Sequence, residues 1–338
     1  MASVKQFSEK KDNIAAIISF IRRNGAVTRM EICKALSLSW ACVSDLVARL
    51  IEDTVLIEAA YSAKEDAPAT KGRTPTLLSL NKRKYFLGVD INNFGIGVTV
   101  LSMNGERIAS KKWKAKHFSD ENELYFSVCE SISEMLENPG DCCGVGVAVE
   151  GMRSKDGGFL YPMTGGCTSV FPQRVIAEHF DLPVVARHDP ECVLYSVAES
   201  CGEDCLVIRA DTEEIGVAAM KNGKIMELPL ELGHVRYRGE RLREILHSCT
   251  REGNYGEIAE ALGYSVANLA MLLGIRKCFL VGEWLKWFDS VSEVFDMAFG
   301  TVSERIKYEI CVLSDASDGA ARLAMAEYPT LNIRRERE

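Results

Sequence analysis

Ile14, Ile17, Ile18 and Ile21 recur at the spacing of one helix face, with Asp12 as the expected N-cap and Asn24-Gly25 as the stop. Thr28 and Glu31 then form a Thr-x-x-Glu capping box. It opens a short helix that turns Ile32 and Leu36 inward. The stretch Ser37-Leu38-Ser39 reads as a tight turn into a third helix, where Val43, Leu46, Val47 and Leu50 make one apolar stripe and Leu38 can staple onto it. A strand-like VLIEAAY, a polar loop (SAKEDAPATKGRTP) and a second strand-like TLLSL follow. Two short helices, a turn, a longer helix and a hairpin predict a winged helix-turn-helix over residues 1–84.

The pattern then changes. YFLGVDI, GIGVTVLSM and RIASKKWKA read as three successive strands, the last two joined through Asn104-Gly105. The amphipathic helix ENELYFSVCESISEML and the strand CGVGVAV follow. A second cycle runs through strands around CLVIRA, IGVAAMK and KIMEL to helices around 257–273. Strands and helices in two repeated groups predict an α/β body of two lobes with a cleft between them.

Composition sharpens this picture. The 338 residues are 47% hydrophobic, enough for sizeable cores, yet no run of about 18 uncharged apolar residues is present to span a membrane. The opening MASVKQFSEKKDN lacks the apolar segment of a secretory signal, so a cytoplasmic protein is expected. The 12 cysteines are scattered, several inside apolar patterns (Cys33, Cys129, Cys278), and read as free thiols in a reducing compartment. The net charge of −8 is unevenly placed. Residues 1–84 carry 14 Lys and Arg against 9 Asp and Glu, and the remainder 26 against 39. A basic head on an acidic body suits a polyanion-binding module, and double-stranded DNA is the expected partner. The third helix would lead into the major groove with Ser39, Trp40, Ala41, Ser44 and Asp45. Arg29 and Arg49 would face phosphates, and Lys71 and Arg73, with Gly72 allowing close approach, would tip the wing toward the backbone or minor groove.

The string GRTPTLLSLN (72–81) followed by YFLGVDI (85–91) resembles the junction in regulators of the ROK family (repressors, open reading frames and kinases). The resemblance continues through GVGVAVEG (144–151), LPVVARHDPECVLYSVAE (182–199), ELGH (231–234) and DGAARLA (318–324). It implies a ribonuclease-H-like body of the actin and sugar-kinase type: lobe 1 over residues 85–190 and lobe 2 over 191–338, with a helix from near Asp318 returning to lobe 1. It also implies a transcriptional regulator of carbohydrate metabolism, expected to be a repressor. Such a protein would bind a palindromic operator as a homodimer or dimer of dimers, with a small-molecule effector, a sugar or sugar derivative, in the cleft.

Kinases of this family place an Asp-x-Gly-x-Thr turn after the first strand. Here the turn reads Asp90-Ile91-Asn92-Asn93-Phe94, without the glycine and threonine. The second phosphate loop, glycine-rich in kinases, is Ala210-Asp211-Thr212-Glu213-Glu214-Ile215-Gly216, and a later Gly-Gly has become Val281-Gly282-Glu283. Adjacent carboxylates where a phosphate would lie repel ATP, so no catalysis and no cofactor are expected. The alternative is a ROK-type hexose kinase with an unusual phosphate loop. By the same resemblance His188, Asp189, Glu231 and His234 are the ligand-binding set, the Asp-for-sugar position being retained and its neighbouring Asn replaced by His188. An Asn expected after Pro162 is absent from Pro162-Met163-Thr164-Gly165-Gly166, which argues against an ordinary hexose. The zinc motif that follows ELGH in the family is also missing. Only His247 and Cys249 stand downstream of His234, within a stretch that reads as a helix, so no metal is expected. Trp284 and Trp287 belong to a core or an interface, and NIRRERE is a solvated tail.

Overall fold

A computed structural model gives the fold and describes residues 2–60, 76–93, 95–114, 118–201, 204–211, 214–226, 228, 231–311 and 316–335. Helix α1 (Ala2–Asn24) begins well ahead of Asp12, which lies exposed within it, so the expected cap at Asp12 is wrong. The residues before Asp12 include no proline or glycine to stop a helix. Gly25, at φ +74°, ends α1 and leads into β1 (Val27–Thr28). Both arms of the capping box form. The Thr28 hydroxyl accepts from the Glu31 amide at 3.2 Å, and the Glu31 carboxylate accepts from the Thr28 amide at 2.6 Å, opening α2 (Arg29–Leu36). Ser37 turns the chain in the left-handed region (φ 55°), and the Ser39 hydroxyl accepts from the Cys42 amide to start α3 (Trp40–Glu52). Strands β2 (Leu56–Ala60) and β3 (Thr76–Leu80) pair antiparallel, with β1 on the other edge of β3. Ile17, Ile32, Val43, Val47 and Leu78 are fully buried at the centre of this unit.

The first lobe starts with β4 (Tyr85–Asn92), β5 (Gly95–Ser102) and β6 (Arg107–Lys114), an antiparallel meander. Helix α4 (Glu121–Met135) crosses to β7 (Cys142–Val149), which lies parallel to β4. The segment around Pro162, to which the hydrophobic pattern assigns no strand, is a hairpin of β8 (Phe159–Met163) and β9 (Gly166–Val170). Its tight Thr164-Gly165 turn needs no long connection. Helix α5 (Pro172–Phe180) leads to β10 (Val184–His188), parallel to β7, completing the order β10-β7-β4-β5-β6. Strands β4 and β7 are buried along their whole length, as strands covered on both faces must be.

Helix α6 (Asp189–Cys201) leads to the second lobe: β11 (Cys205–Ala210), β12 (Ile215–Lys221) and β13 (Lys224–Met226) form a second meander. A small hairpin, β14 (Arg236–Tyr237) with β15 (Glu240–Arg241), precedes α7 (Leu242–Glu252) and α8 (Gly256–Leu273). Strand β16 (Lys277–Val281), α9 (Ser292–Gly300) and β17 (Lys307–Ile310) complete a five-stranded sheet in the order β13-β12-β11-β16-β17. Trp284 is fully buried in the core of this lobe against Phe288 and Phe295, and Trp287 stacks on Tyr255.

Helix α10 (Ser317–Arg335) returns to lie across β4 and β7 and against α6. The approach is backbone to backbone. A Cβ at Gly88 would lie 1.9 Å from the Ser317 carbonyl oxygen, one at Gly146 would lie 1.7 Å from that of Ala320, and one at Gly319 would lie 2.0 Å from that of Cys192. All three pairs are closer than any real contact, so glycine is obligatory at each. Gly146→Ala is therefore expected to cost about 1–3 kcal/mol, the usual range for overpacking, read as a lower urea midpoint with unchanged m-value. An unshifted midpoint would show that α10 is not seated this tightly.

Candidate functional site

Parallel strands collect side chains at their carboxyl ends, outside which α/β sheets bind ligands. In the first lobe β7 runs out into Glu150 and β10 ends at His188, directly followed by Asp189 as the first residue of α6. In the second, β11 carries Arg209 and runs out into Asp211, while Glu231 precedes a single 3-10 turn, Leu232–His234. These residues line one cleft of about 250 Å³ between the lobes, together with Asn93, Gly216, Glu214 and Arg243. The four ligand residues expected from the sequence, His188, Asp189, Glu231 and His234, are thus brought together.

Arg209 is the central cation. Its Nη1 lies 2.7 Å from Asp189 Oδ2 and its Nε donates to Asp211 Oδ2 at 2.9 Å, all three side chains being nearly inaccessible. The second oxygen of Asp211 accepts the Glu283 amide at 2.8 Å, just beyond Gly282. The first turn is held in the same manner: Glu150 accepts from the Asn93 amide at 2.6 Å and from Asn93 Nδ2 at 3.3 Å. Asp90, the acid retained in that turn, accepts from the Ala316 amide at 3.1 Å and from Asn92 Nδ2 at 2.8 Å, so it anchors the approach to α10. His188 Nε2 sits 3.1 Å from Asp189 Oδ1 and 3.3 Å from Glu231 Oε1.

Burial sets the protonation of this cluster. It pushes Glu150 up to about 8, helped by the nearby Asp189 charge, and Glu231 up to about 8, helped by Asp189 and Glu214. Burial also raises Asp189, to about 6, against the pull of Arg209. His188 is lowered to about 4, chiefly because its charged form would be desolvated. Near neutral pH the cleft therefore presents an ionised Asp189, a neutral imidazole and two carboxyl groups that can donate as well as accept. Such a set suits vicinal hydroxyls. The pairing of Glu150 with Asn93, and that of Arg209 with Asp189 and Asp211, were missed by sequence reasoning. Arg209 lies in an apolar strand pattern, and nothing in its spacing points to Asp189.

In the amino-terminal unit Trp40 is the first residue of α3 and is 55% exposed. Ala41 and Asp45 are exposed beside it, Ser44 and Arg49 are half-buried, and the Ser39 hydroxyl is engaged as the cap. Arg29 pairs with Glu58 at 2.8 Å. Lys71, Gly72 and Arg73 lie outside the described residues. Ala48 and Met30, also exposed, extend the surface beyond the residues expected. Among the described residues no group of three or more His, Cys, Asp and Glu is placed to hold a metal ion; His247 is exposed and Cys249 buried on α7. The described cysteines are free thiols, and no described helix is long and apolar enough to cross a membrane.

No protein-family model matches the chain. It is 20% identical over 237 residues to the xylose repressor of Bacillus subtilis, covering 67% of this chain and 60% of that protein. It is 22% identical over 190 residues to the xylose repressor of Bacillus spizizenii, covering 55% of this chain and 48% of that protein. The chain thus spans roughly half to three-fifths of the length of these curated relatives. Among solved structures, a ROK family transcriptional regulator, a homologue of the Escherichia coli Mlc protein, superposes with a TM-score of 0.73 at 14% identity, covering 96% of this chain and 98% of that one. A ROK family glucokinase from Streptomyces griseus, in complex with glucose and AMPPNP, gives 0.57 at 16% identity, covering 71% of this chain and 98% of the glucokinase. The resemblance to ROK-family regulators is borne out, as is the two-lobed sugar-kinase-like fold.

The raised carboxyls have a consequence for stability. Glu150 and Glu231 keep protons in the folded chain that the unfolded chain releases above pH 4.5, so the stability they contribute is complete below that pH and is lost as pH rises toward 8. His188 has the opposite sign, losing stability only as pH falls from 6.5 toward 4. Between pH 6.5 and 8 the melting temperature is therefore expected to fall, and to fall less in Glu231→Gln, measured by calorimetry. Equal slopes in the two proteins would show that Glu231 is ionised throughout.

Removing the central cation leaves two buried acids without their partner. Arg209→Ala is expected to cost about 3–5 kcal/mol by urea denaturation, and Arg209→Met combined with Asp189→Asn to recover part of it.

Proposed function

From a chain that resembles the ROK-family regulators in sequence and shares their fold, we propose a sugar-responsive transcriptional repressor that binds double-stranded DNA and has no kinase activity. The observation that carries this reading is that acidic side chains of the chain itself stand at both turns a kinase would use for phosphate, one bonded to the first turn and one within the second. Glu150 takes the Asn93 amide and Asp211 takes the Glu283 amide. The Asn93 backbone donor of the first turn is engaged, Asp211 puts an acid into the second, and Asp189, the position of the catalytic base in family kinases, is ion-paired with Arg209.

The amino-terminal unit supports the DNA-binding half of the proposal. It is a winged helix-turn-helix in which α3 presents Trp40, Ala41, Ser44 and Asp45 to the major groove, Arg29 and Arg49 lie toward phosphates, and Lys71, Gly72 and Arg73 are the wing contacts. The regulator structure covers 96% of this chain and the glucokinase 71%. The body has room for a monosaccharide-sized effector at His188, Asp189, Glu231 and His234, and the names of the two Bacillus relatives favour a sugar. The proposed assembly is a cytoplasmic homodimer, or dimer of dimers, on a palindromic operator.

Operator fragments selected from genomic DNA and titrated by fluorescence anisotropy test the first half. Binding is expected to weaken steeply with salt. Trp40→Ala is expected to weaken the selected site at least about tenfold while leaving the salt slope unchanged, because it removes a base-edge contact and no phosphate contact. Absence of binding at low salt would overturn the proposal. For the rival reading, a hexose kinase, ATP turnover over a hexose panel is expected to be absent; phosphorylation abolished by Asp189→Asn would establish the rival instead.

A further inference from the structure

The polar cleft has an apolar neighbour. A cavity of about 550 Å³ lies between α8 and the segment Glu231–Tyr237, with Val217 of β12 also lining it. Tyr264, Leu269 and Leu272 of α8 stand across from Leu228, Val235 and Tyr237. The Tyr237 and Tyr264 rings stack with centroids 6.0 Å apart at 24°, and Leu272 is 79% exposed. Ligand sites of this volume are lined mainly by apolar and aromatic groups with a few polar ones, as here.

The two cavities meet at one residue. Glu231 lines both, and its carboxyl lies 3.3 Å from His188 on the cleft side. Strand alternation divides them again: Gly216 lines the polar cleft and Val217, the next residue of β12, lines the apolar cavity. A Cβ at Gly216 would lie 2.6 Å from the Pro190 ring and 3.5 Å from Glu231 Oε2, so β12 packs closely on the start of α6 here and lies beside the Glu231 carboxyl. Neither cavity alone matches the other's chemistry: one offers a neutral imidazole and carboxyls, the other a tyrosine pair and leucines.

We propose that the effector is bipartite, a polyhydroxylated ring held by His188, Asp189 and Glu231 that carries an aromatic substituent reaching past Glu231 onto Tyr237 and Tyr264. The ligand class is an aryl glycoside rather than a free sugar. The inference rests on the reading of the cleft as a sugar site and goes further, in assigning the adjoining cavity and the substituent it takes. Burial of Glu231 favours its neutral form, so an apolar group passes it without meeting a fixed charge.

Calorimetric titration of the full chain with methyl and phenyl β-glycosides of D-xylose and D-glucose tests it. For at least one sugar the phenyl glycoside is expected to bind about tenfold or more tightly than the methyl glycoside, the gain from burying one ring. Asn268→Trp fills the apolar cavity from an exposed position on α8, and its unchanged melting temperature without ligand verifies folding. In that variant the phenyl advantage is expected to fall below twofold while methyl glycoside affinity stays the same. Methyl glycosides that bind with no phenyl gain, or a gain that survives Asn268→Trp, would overturn the bipartite ligand and leave the sugar reading intact. Failure of every glycoside to bind would overturn both. A dimer that Asn268→Trp converts to monomer would assign the cavity to a second copy of the chain and overturn the inference.

Discussion

A guanidinium buried between two carboxylates organises the body of this protein. Arg209 reaches from the middle of one sheet to Asp189, which begins α6, and to Asp211, which in turn holds the loop after β16 through the Glu283 amide. Three segments distant in sequence are thereby fixed by one side chain in a low-dielectric site. Such an arrangement earns little net stability against replacement by hydrophobic groups, but it strongly resists loss of a single member. What it confers is geometry: the acid at the mouth of α6 is held in place and charged before any ligand arrives.

The same acid stands at one end of a continuous packed route. Helix α6 starts in the cleft, α10 lies against it at Gly319 with no side chain between the backbones, and α1 of the amino-terminal unit packs against α10. Arg22 of α1 also donates to the Met103 carbonyl at 2.9 Å, and one apolar cluster runs from Ile17 through Phe86 and Ala320 to Val207. Close-packed contacts thus run without a break from the cleft end of α6 to α1, and between α6 and α10 no flexible side chain intervenes at Gly319.

Much of this was legible in the residues themselves. The Thr28–Glu31 box, the turn at Ser37 and the stripe Val43, Leu46, Val47 and Leu50 are local signals, and they formed as read. Asp12 was misplaced because a cap residue inside a helix-favouring stretch carries no stop signal, and the Pro162 hairpin was missed because its strands are short and mixed in polarity. In the cleft, His188, Asp189, Glu231 and His234 could be placed through the family resemblance. Arg209 with Asp189, and Glu150 with Asn93, could not, since the first pairing exists only once the two lobes have come together and the second only once β4 and β7 lie side by side. Burial then decides which of these acids holds a proton, and burial of a polar side chain is a tertiary property that no local pattern encodes.

The seating of α10 on Gly88 and Gly146 has a consequence for how the chain comes to be folded. A sheet formed from residues 85–188 is covered on one face by residues 317–335, so during synthesis the first lobe exists for some time as an unroofed sheet. The amino-terminal unit, built from near neighbours in sequence, can close on its own core much earlier. Birth order and folding order therefore part company: the second lobe and its final helix must leave the ribosome before the first lobe is finished, and until then the bare face over β4 and β7 is the surface that chaperones would have to shield.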